Sequence, residues 1–514
     1  MFVTLPSQGL SQRPWVFPAL VLVLVLILRR LVLSYSYRRK AHSNGCCPPP
    51  SSPDPTGRLG LFQIRKIIQA KKQRRLPNVF SSVFDDAGQG VHTIAHHVLG
   101  KKSYWTRDPE NVKTILSANF SDWQLPAARV TAFNQCWGGG IFGADGHQWK
   151  HSRALLRPAF GRSQIQDIEL IENHFLSLVK RIPENEVFDL TDLFPMFTMD
   201  IVTDMLFGET TGCLDPSKAE EGQKFASFFN YIMQRMSMRL SAPLLAMLPD
   251  FKLKRAVKFV YEFADYFIDG ALKRRAGGRN VIDHESHPGK RKHCFLDEIA
   301  TDGESAEALR GEMLSTMVAG RDTTASLLGI LWWHLPRRPD ILSRIREEVA
   351  SLGGSPPDAK AMKDLKYLEK AVNEVLRLYP INPINSRTAR VDTILPRGGG
   401  EDGMSPIFIA KGETVVFSSL AMHRRRDIFG EDAGILNPDR WDTKRPSTWE
   451  YIPFGGGPRL CLGQQLALLE VAYTTARLVQ TFPSIEPIGG DVFVGQFAMA
   501  LTSGDGCKVR LSRA

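Results

Sequence analysis

Near the carboxyl end of this 514-residue chain, Phe454-Gly-Gly-Gly-Pro-Arg-Leu-Cys461-Leu-Gly463 runs straight into a helical pattern. Three glycines and a proline let the backbone turn tightly and approach a flat ligand closely. Cys461 stands just before the helix amino terminus, where the dipole and free N–H groups favour a thiolate. A thiolate so placed suits the axial position on a haem iron, and Arg459, two residues away, suits a carboxylate partner. A structural cysteine in a glycine-rich turn is the other reading of the segment taken alone.

Three further constellations stand out. Ala319-Gly320-Arg321-Asp322-Thr323-Thr324 lies inside a long helical run. A glycine and adjacent threonines weaken a helical ladder, and Asp322 with the Thr323 hydroxyl could pass protons across the groove so formed. In isolation, a packing glycine and a back-bonded threonine explain the segment equally well. Arg321, a cation in a central helix, requires a partner that the sequence does not name. Glu374 and Arg377 share a helix face at i and i+3, in apolar sequence that ends at Pro380. Trp149 and Arg153 share a face at i and i+4, as do His147 and His151. No Glu follows His147 and no third ligand is near, so zinc is not expected. The glycine triplets at 138–140 and 398–400 lack a strand–G-x-G-x-x-G–helix context. With no dinucleotide site of its own, the chain would take electrons from a partner.

Phe454, Gly457, Arg459, Cys461 and Gly463 meet the pattern F-x-x-G-x-R-x-C-x-G, and on it the chain resembles the cytochrome P450 family, the haem-thiolate monooxygenases, over nearly all its length. The resemblance implies haem b as cofactor, Cys461 as axial ligand, and Phe454, Gly457, Arg459 and Gly463 as its loop. It assigns Asp322 and Thr323 of the A-G-x-D-T motif to proton delivery. Glu374 and Arg377 of E-x-x-R would join Arg440 in a structural triad. Trp149 and Arg153 of W-x-x-x-R, and Arg387 in the extended run after Pro380, would contact haem propionates. Leu376-Arg-Leu-Tyr-Pro380, Asn385-Ser-Arg-Thr-Ala389, Leu395-Pro-Arg-Gly-Gly-Gly400 and Met422-His-Arg424 look like the fungal alkane and fatty-acid hydroxylases. That implies terminal hydroxylation of a long chain. A terpenoid or polyketide of secondary metabolism is the alternative substrate, and a haem-thiolate isomerase or dehydratase, or a non-catalytic haem protein, the alternative class. Substrate contacts would come from Phe120–Ile141, the long helix, Ile381–Ile384 and Met499–Leu501. The implied partners are an NADPH-dependent flavoprotein reductase, with cytochrome b as an accessory donor.

These residues need elements to hold them. Apolar periodicity predicts helices over 164–182, 196–208, 222–240, 254–275, 304–335, 338–351, 366–378 and 464–481. Short strands are expected at Pro406–Ala410 and Glu413–Ser418, and a solvated loop at Gly277–His293. The expected class is mainly α with a minor β region, in one large haem-burying domain behind an anchor. Trp15–Leu28 is uninterrupted apolar and is followed by Arg29-Arg30 and Arg38-Arg39-Lys40. The bases follow the apolar core and no small-x-small cleavage site succeeds it, so an uncleaved single-pass anchor is expected rather than a signal peptide. The excess of bases on the carboxyl side puts the body in the cytoplasm, with the endoplasmic reticulum as the implied membrane. The expected division is 1–40 anchor, 41–60 hinge and 61–514 catalytic domain. Pro48, Pro49, Pro50, Pro53 and Pro55 make the hinge a stiff extended spacer outside any packed core. Ile64–Arg75 reads as a basic amphipathic helix, facing either headgroups or water. Cys46 and Cys47 read as plain juxtamembrane thiols or as acylation sites, and seven cysteines form no disulfide framework. The net charge of +11 divides unevenly: residues 1–75 hold 13 Lys/Arg against Asp54 alone, leaving 52 bases and 53 acids beyond. The body is neutral, which excludes a basic nucleic-acid-binding domain.

Overall fold

The computed structural model describes residues 16–98, 100–161, 167–242, 248–276, 294–301 and 303–513; the expected loop at Gly277–His293 lies outside them. Thirteen helices reach ten residues or more: α1 Val16–Ser43, α2 Leu61–Lys72, α3 Leu76–Asp85, α4 Ala127–Trp137, α5 Gly146–Leu156, α6 Ile168–Arg181, α7 Leu190–Phe207, α8 Ala219–Ser241, α9 Phe251–Ala276, α10 Ala306–His334, α11 Pro339–Ala350, α12 Lys366–Leu378 and α13 Gln464–Thr481. The eight expected helices appear as α6 to α13. The largest difference is at α7, which starts six residues before the expected boundary. Pro195 ordinarily ends a helix, but Asp189 caps this one by accepting the Thr191 N–H at 2.9 Å, and the helix continues through the proline.

α10 runs through the centre. Ser305 caps it by accepting the Ala308 N–H, and Pro336 follows its end. Two apolar clusters, one including α11 to α13 and the other α8 and α9, both close on α10. The strands are β1 Thr93–Val98, β2 Lys101–Thr106, β3 Trp123–Gln124, β4 Val187–Asp189, β5 Asn385–Ala389, β6 Thr393–Gly399, β7 Ser405–Ile409, β8 Thr414–Phe417, β9 Ser484–Pro487, β10 Gly495–Phe497, β11 Leu501–Ser503 and β12 Lys508–Ser512. The main sheet has the order β1-β2-β8-β5-β3, with β2 and β8 parallel and its other pairs antiparallel. β6 and β7 form a hairpin, β4-β12-β9 a second sheet, and β10-β11 a third. Mainly α with a minor β share is therefore the class.

α1 is an exposed apolar helix of 28 residues, about 42 Å at 1.5 Å per residue, which is long enough to cross a bilayer's hydrocarbon core. Its end is pinned to the body. Lys40 Nζ meets Asp392 at 2.5 Å, and the Tyr37 ring lies 6.1 Å from that of Phe408 on β7. The proline segment beyond is extended, as expected, but it packs on the body. Ser52 N–H donates to Ala95 O and Ala95 N–H to Pro50 O, both at 2.8 Å, beside β1. Proline cannot donate but can sit at a sheet edge, where its carbonyl still accepts. α2 follows with Leu61, Phe62 and Ile68 exposed among its bases.

Candidate active site

The cysteine turn is built by glycine geometry. Gly457 has φ +64°, and a Cβ there would stand 2.0 Å from Leu116 O, so only glycine fits. The Cys461 N–H donates to Phe454 O at 3.1 Å, which closes the loop, and the Gly463 N–H points back at the Cys461 sulfur. Burial pushes the Cys461 thiol above its ordinary pKa, against which the Gly463 N–H and Arg153 favour the thiolate. The side chain is nonetheless exposed, unlike Cys136, Cys213, Cys294 and Cys507. The sulfur is thus desolvated by surrounding protein and yet accessible. A structural cysteine would instead be sealed in the core.

The other motif lies on α10. From Gly311 to His334 every residue is buried except Ala319, Gly320, Asp322 and Thr323. The helix stays continuous here. Thr323 Oγ1 donates to Ala319 O at 2.6 Å, and a Cβ on Gly320 would lie 2.8 Å from the Val202 side chain, so the glycine serves close packing against α7. The partner of Arg321 is Asp322, at 2.7 Å, and the guanidinium also stacks 5.0 Å from the Phe229 ring. No hydrogen bond or ion pair joins Asp322 or Thr323 to the cysteine turn among the described residues.

The edge of the site is cationic. Arg459 Nη2 meets Asp145 at 2.5 Å, and its guanidinium stacks 4.5 Å from the Trp149 ring on α5. Arg153, one turn on, donates to Leu460 O at 3.0 Å. Arg387 on β5 and Arg129 on α4 both donate to Asn385 Oδ1, at 3.1 and 3.3 Å. Burial first, then repulsion from neighbouring guanidiniums, lowers Arg387 to about 9 and Arg129 to about 10; burial first, with repulsion from Arg153 and against the pull of Asp145, lowers Arg459 to about 10. Asp145 is the one carboxylate acting on all three, and the Arg129 Nε has no partner. Two excess buried positive charges demand anions. A haem with two propionates fits this donor set: thiol at the centre, guanidiniums at the rim.

Beneath the turn, Glu374 and Arg377 are fully buried and form a two-bond pair at 2.7 and 2.9 Å. Arg440 Nε reaches Glu374 Oε1 at 3.2 Å and grips Asp432 through two further bonds. Arg377 Nη1 ties this pair to the carbonyls of His423 and Ala433. His423 accepts the Ile452 N–H and is held neutral, since burial and Arg377 lower it to about 3. The triad is therefore assembled, and among the described residues no hydrogen bond of its side chains reaches Cys461, Asp322 or Thr323. His151 pairs with Glu304 at 2.8 Å, and among the described residues no three metal-ligating side chains gather. Arg129, Asp145, Asp432 and His423 escaped the sequence reading. Their partners come from distant segments, and only His423 stood in a noticed motif.

A family model described as Cytochrome P450 matches residues 55–491. Cytochrome P450 monooxygenase himC of Aspergillus japonicus is 38% identical, over 96% of this chain and 88% of its own. Cytochrome P450 monooxygenase fsdH of Fusarium heterosporum is 37% identical, over 95% and 86%. Cytochrome P450 52A1 of Candida tropicalis is 39% identical, over 77% and 75%.

Proposed function

This chain belongs to the cytochrome P450 family, and from that premise we propose that it hydroxylates a long-chain fatty acid or alkane near its terminus. It is a haem-thiolate monooxygenase, an oxidoreductase that binds haem and places one atom of dioxygen in an apolar substrate and the other in water. In this proposal a membrane anchor at 1–40 and a docked hinge at 41–60 hold a catalytic domain, 61–514, on the cytoplasmic face of the endoplasmic reticulum. An NADPH-dependent flavoprotein reductase supplies electrons there, with cytochrome b as an accessory donor.

When bound, haem supplies the activation of dioxygen. The chain's own residues do the rest. Cys461 would hold the haem iron through its sulfur, steadied by the Gly463 N–H. Arg129, Arg387 and Arg459 would hold the haem carboxylates, with Trp149 and Arg153 beside them, while Phe454, Gly457 and Gly463 shape the turn. Thr323 Oγ1 would hold a proton on the half-buried strip of α10, and Asp322, on leaving Arg321, would replace it from solvent. Glu374, Arg377 and Arg440 fix the backbone that carries the turn.

One observation carries the reading: an exposed thiol in a turn edged by three guanidiniums that share one carboxylate. Reduced-CO difference spectroscopy tests the ligand, because Cys461→Ser should abolish the thiolate-type Soret band; a variant that kept it would overturn the assignment. A low-to-high-spin screen across fatty acids, alkanes, terpenoids and polyketides tests the substrate. Shifts and turnover confined to the last two would favour secondary metabolism. Product formed without NADPH consumption would favour an isomerase or dehydratase.

A further inference from the structure

We propose that Glu312 on α10 is a positioning residue for the hydroxylation. It fixes the turn Gly138–Gly140 against α10, and with it an apolar wall of Ile141 and Phe142 that decides which carbon is oxidised. This rests on the reading above and deepens it by naming a residue that sets regiochemistry.

Three consecutive glycines carry no side chain to select one turn, and Gly138, Gly139 and Gly140 all lie at positive φ, +74°, +104° and +73°. Contacts with α10 select it instead. A Cβ on Gly140 would stand 2.3 Å from Gly311 O, and one on Gly311 would stand 3.0 Å from Gly138 O, so the two backbones touch. Two hydrogen bonds set their register. Ser315 Oγ donates to Gly139 O at 3.2 Å, and the Ile141 N–H donates to Glu312 Oε2 at 3.0 Å. Glu312 is only 5% exposed, and His151, which acts on it, is itself paired with Glu304 at 2.8 Å. Burial raises its carboxyl, while the Ser152 hydroxyl on α5 and the Ile141 N–H favour the anion. A carboxyl buried this way depends on such donors, so Glu312 and the turn hold each other.

The segment that carries the turn is rooted beside Cys461. The Leu125 N–H donates to Asp145 Oδ2 at 2.7 Å, which closes residues 125–145 on themselves. Arg459, two residues before Cys461, donates to Ala144 O at 3.0 Å and to Asp145. The far end is fixed on α10 at Glu312 and Ser315, which precede Thr323 by about 17 and 12 Å at 1.5 Å per residue. Ile141 and Phe142 pack on the apolar cluster that holds Met317 and Val318, just before the half-buried strip of α10, and Leu462, the neighbour of Cys461. The wall, the strip and the cysteine turn thus meet on one cluster. Were the glycine turn free to shift, Ile141 and Phe142 would shift with it, and a substrate lying against them would lose its single register.

The test titrates the Soret band of the haem-loaded enzyme with two ligands, imidazole and N-dodecylimidazole. Imidazole reads the haem centre alone, and the dodecyl tail reads the wall. Glu312→Ala should weaken N-dodecylimidazole about tenfold, the size expected for one hydrogen bond to a carboxylate, and leave imidazole unchanged. Glu312→Gln, whose amide oxygen can accept the Ile141 N–H, should recover part of the loss. With hexadecanoic acid and hexadecane as substrates, Glu312→Ala should spread oxidation over more carbons and raise KM more than it changes kcat. A merely structural defect would lower haem content and weaken both imidazoles together, and that result overturns the proposal. An unchanged N-dodecylimidazole affinity, in a variant that forms the thiolate-type CO complex, overturns it as well. Should Glu312→Ala not form that complex, Glu312→Asp decides, because it keeps the charge and withdraws the oxygen from Ile141 by one methylene; unchanged tail affinity there also overturns the proposal. Turnover of neither substrate, with the tail difference present, removes the long-chain reading and leaves the positioning of the wall standing.

Discussion

Glu470 is buried on α13, nine residues past Cys461, and no hydrogen bond reaches its Oε1. Desolvation alone raises its carboxyl from 4.5 to about 8. Folded protein at neutral pH thus holds a proton on Glu470 that the unfolded chain releases. A raised carboxyl pKa means stability is unaffected by this group below about 4.5, falls as pH rises from there, and levels off above about 8. Each pH step in that window costs about 1.4 kcal/mol, so moving from pH 6 to pH 8 removes roughly 2–3 kcal/mol on this account. Glu470→Gln keeps the shape and removes the titration. The variant should become more stable relative to the unmodified enzyme as pH rises, by that same 2–3 kcal/mol between pH 6 and 8. Urea midpoints of both haem-loaded proteins, followed by the Soret band and by tryptophan fluorescence, measure it. The difference between the two proteins cancels haem loss and all other titrating groups. If that difference is the same at pH 6 and pH 8, Glu470 is ionised in the native state and the reasoning fails.

Glu374→Gln leaves two guanidiniums buried with half their anions and should cost about 3–5 kcal/mol; a urea midpoint within 1 kcal/mol of the unmodified enzyme would contradict the triad's structural role. Gly457→Ala drives a Cβ against Leu116 O and should lose haem on purification, whereas Gly455→Ala, at φ +76° with nothing within 4 Å, should keep it. Equal haem content in the two would refute the steric argument. Thr323→Ala orphans no buried group, since its hydroxyl only donates back to Ala319 O, so it should fold normally while releasing peroxide in place of product; unchanged coupling of NADPH use to product would remove Thr323 from proton delivery.

Local chemistry was legible and long-range pairing was not. The helices α6 to α13 announce themselves by apolar period and caps, and the cysteine turn by its glycines, because both are short-range constraints. The two-bond Glu374–Arg377 pair is likewise written at i and i+3. Asp432 reinforces the triad through Arg440 from 58 residues after Glu374, and Arg129 reaches Arg387 through Asn385 across 256 residues. No spacing rule links such positions. The proline segment shows the opposite failure: composition correctly gave an extended chain, but whether a sheet edge stood free to receive it depended on β1.

Charge ties these parts together. The body is neutral in sum, yet that balance conceals local excesses that its own acids do not answer. The leader is +12 and meets three acids of the body among the described residues, Asp392 through Lys40, Asp86 through Lys66 and Asp505 through Arg74. The rim beside Cys461 holds one buried guanidinium, Arg387, and two half-buried ones, Arg129 and Arg459, acted on by one shared carboxylate. Neutrality could have been reached by placing acids at those points. The acids instead sit in closed structural pairs such as Glu172–Arg477 and Glu374–Arg377. At the rim beside Cys461, positive charge thus exceeds the acids that meet it. Buried charge of this kind weakens the empty fold and is relieved on binding, so the cofactor's affinity and the domain's stability must rise together.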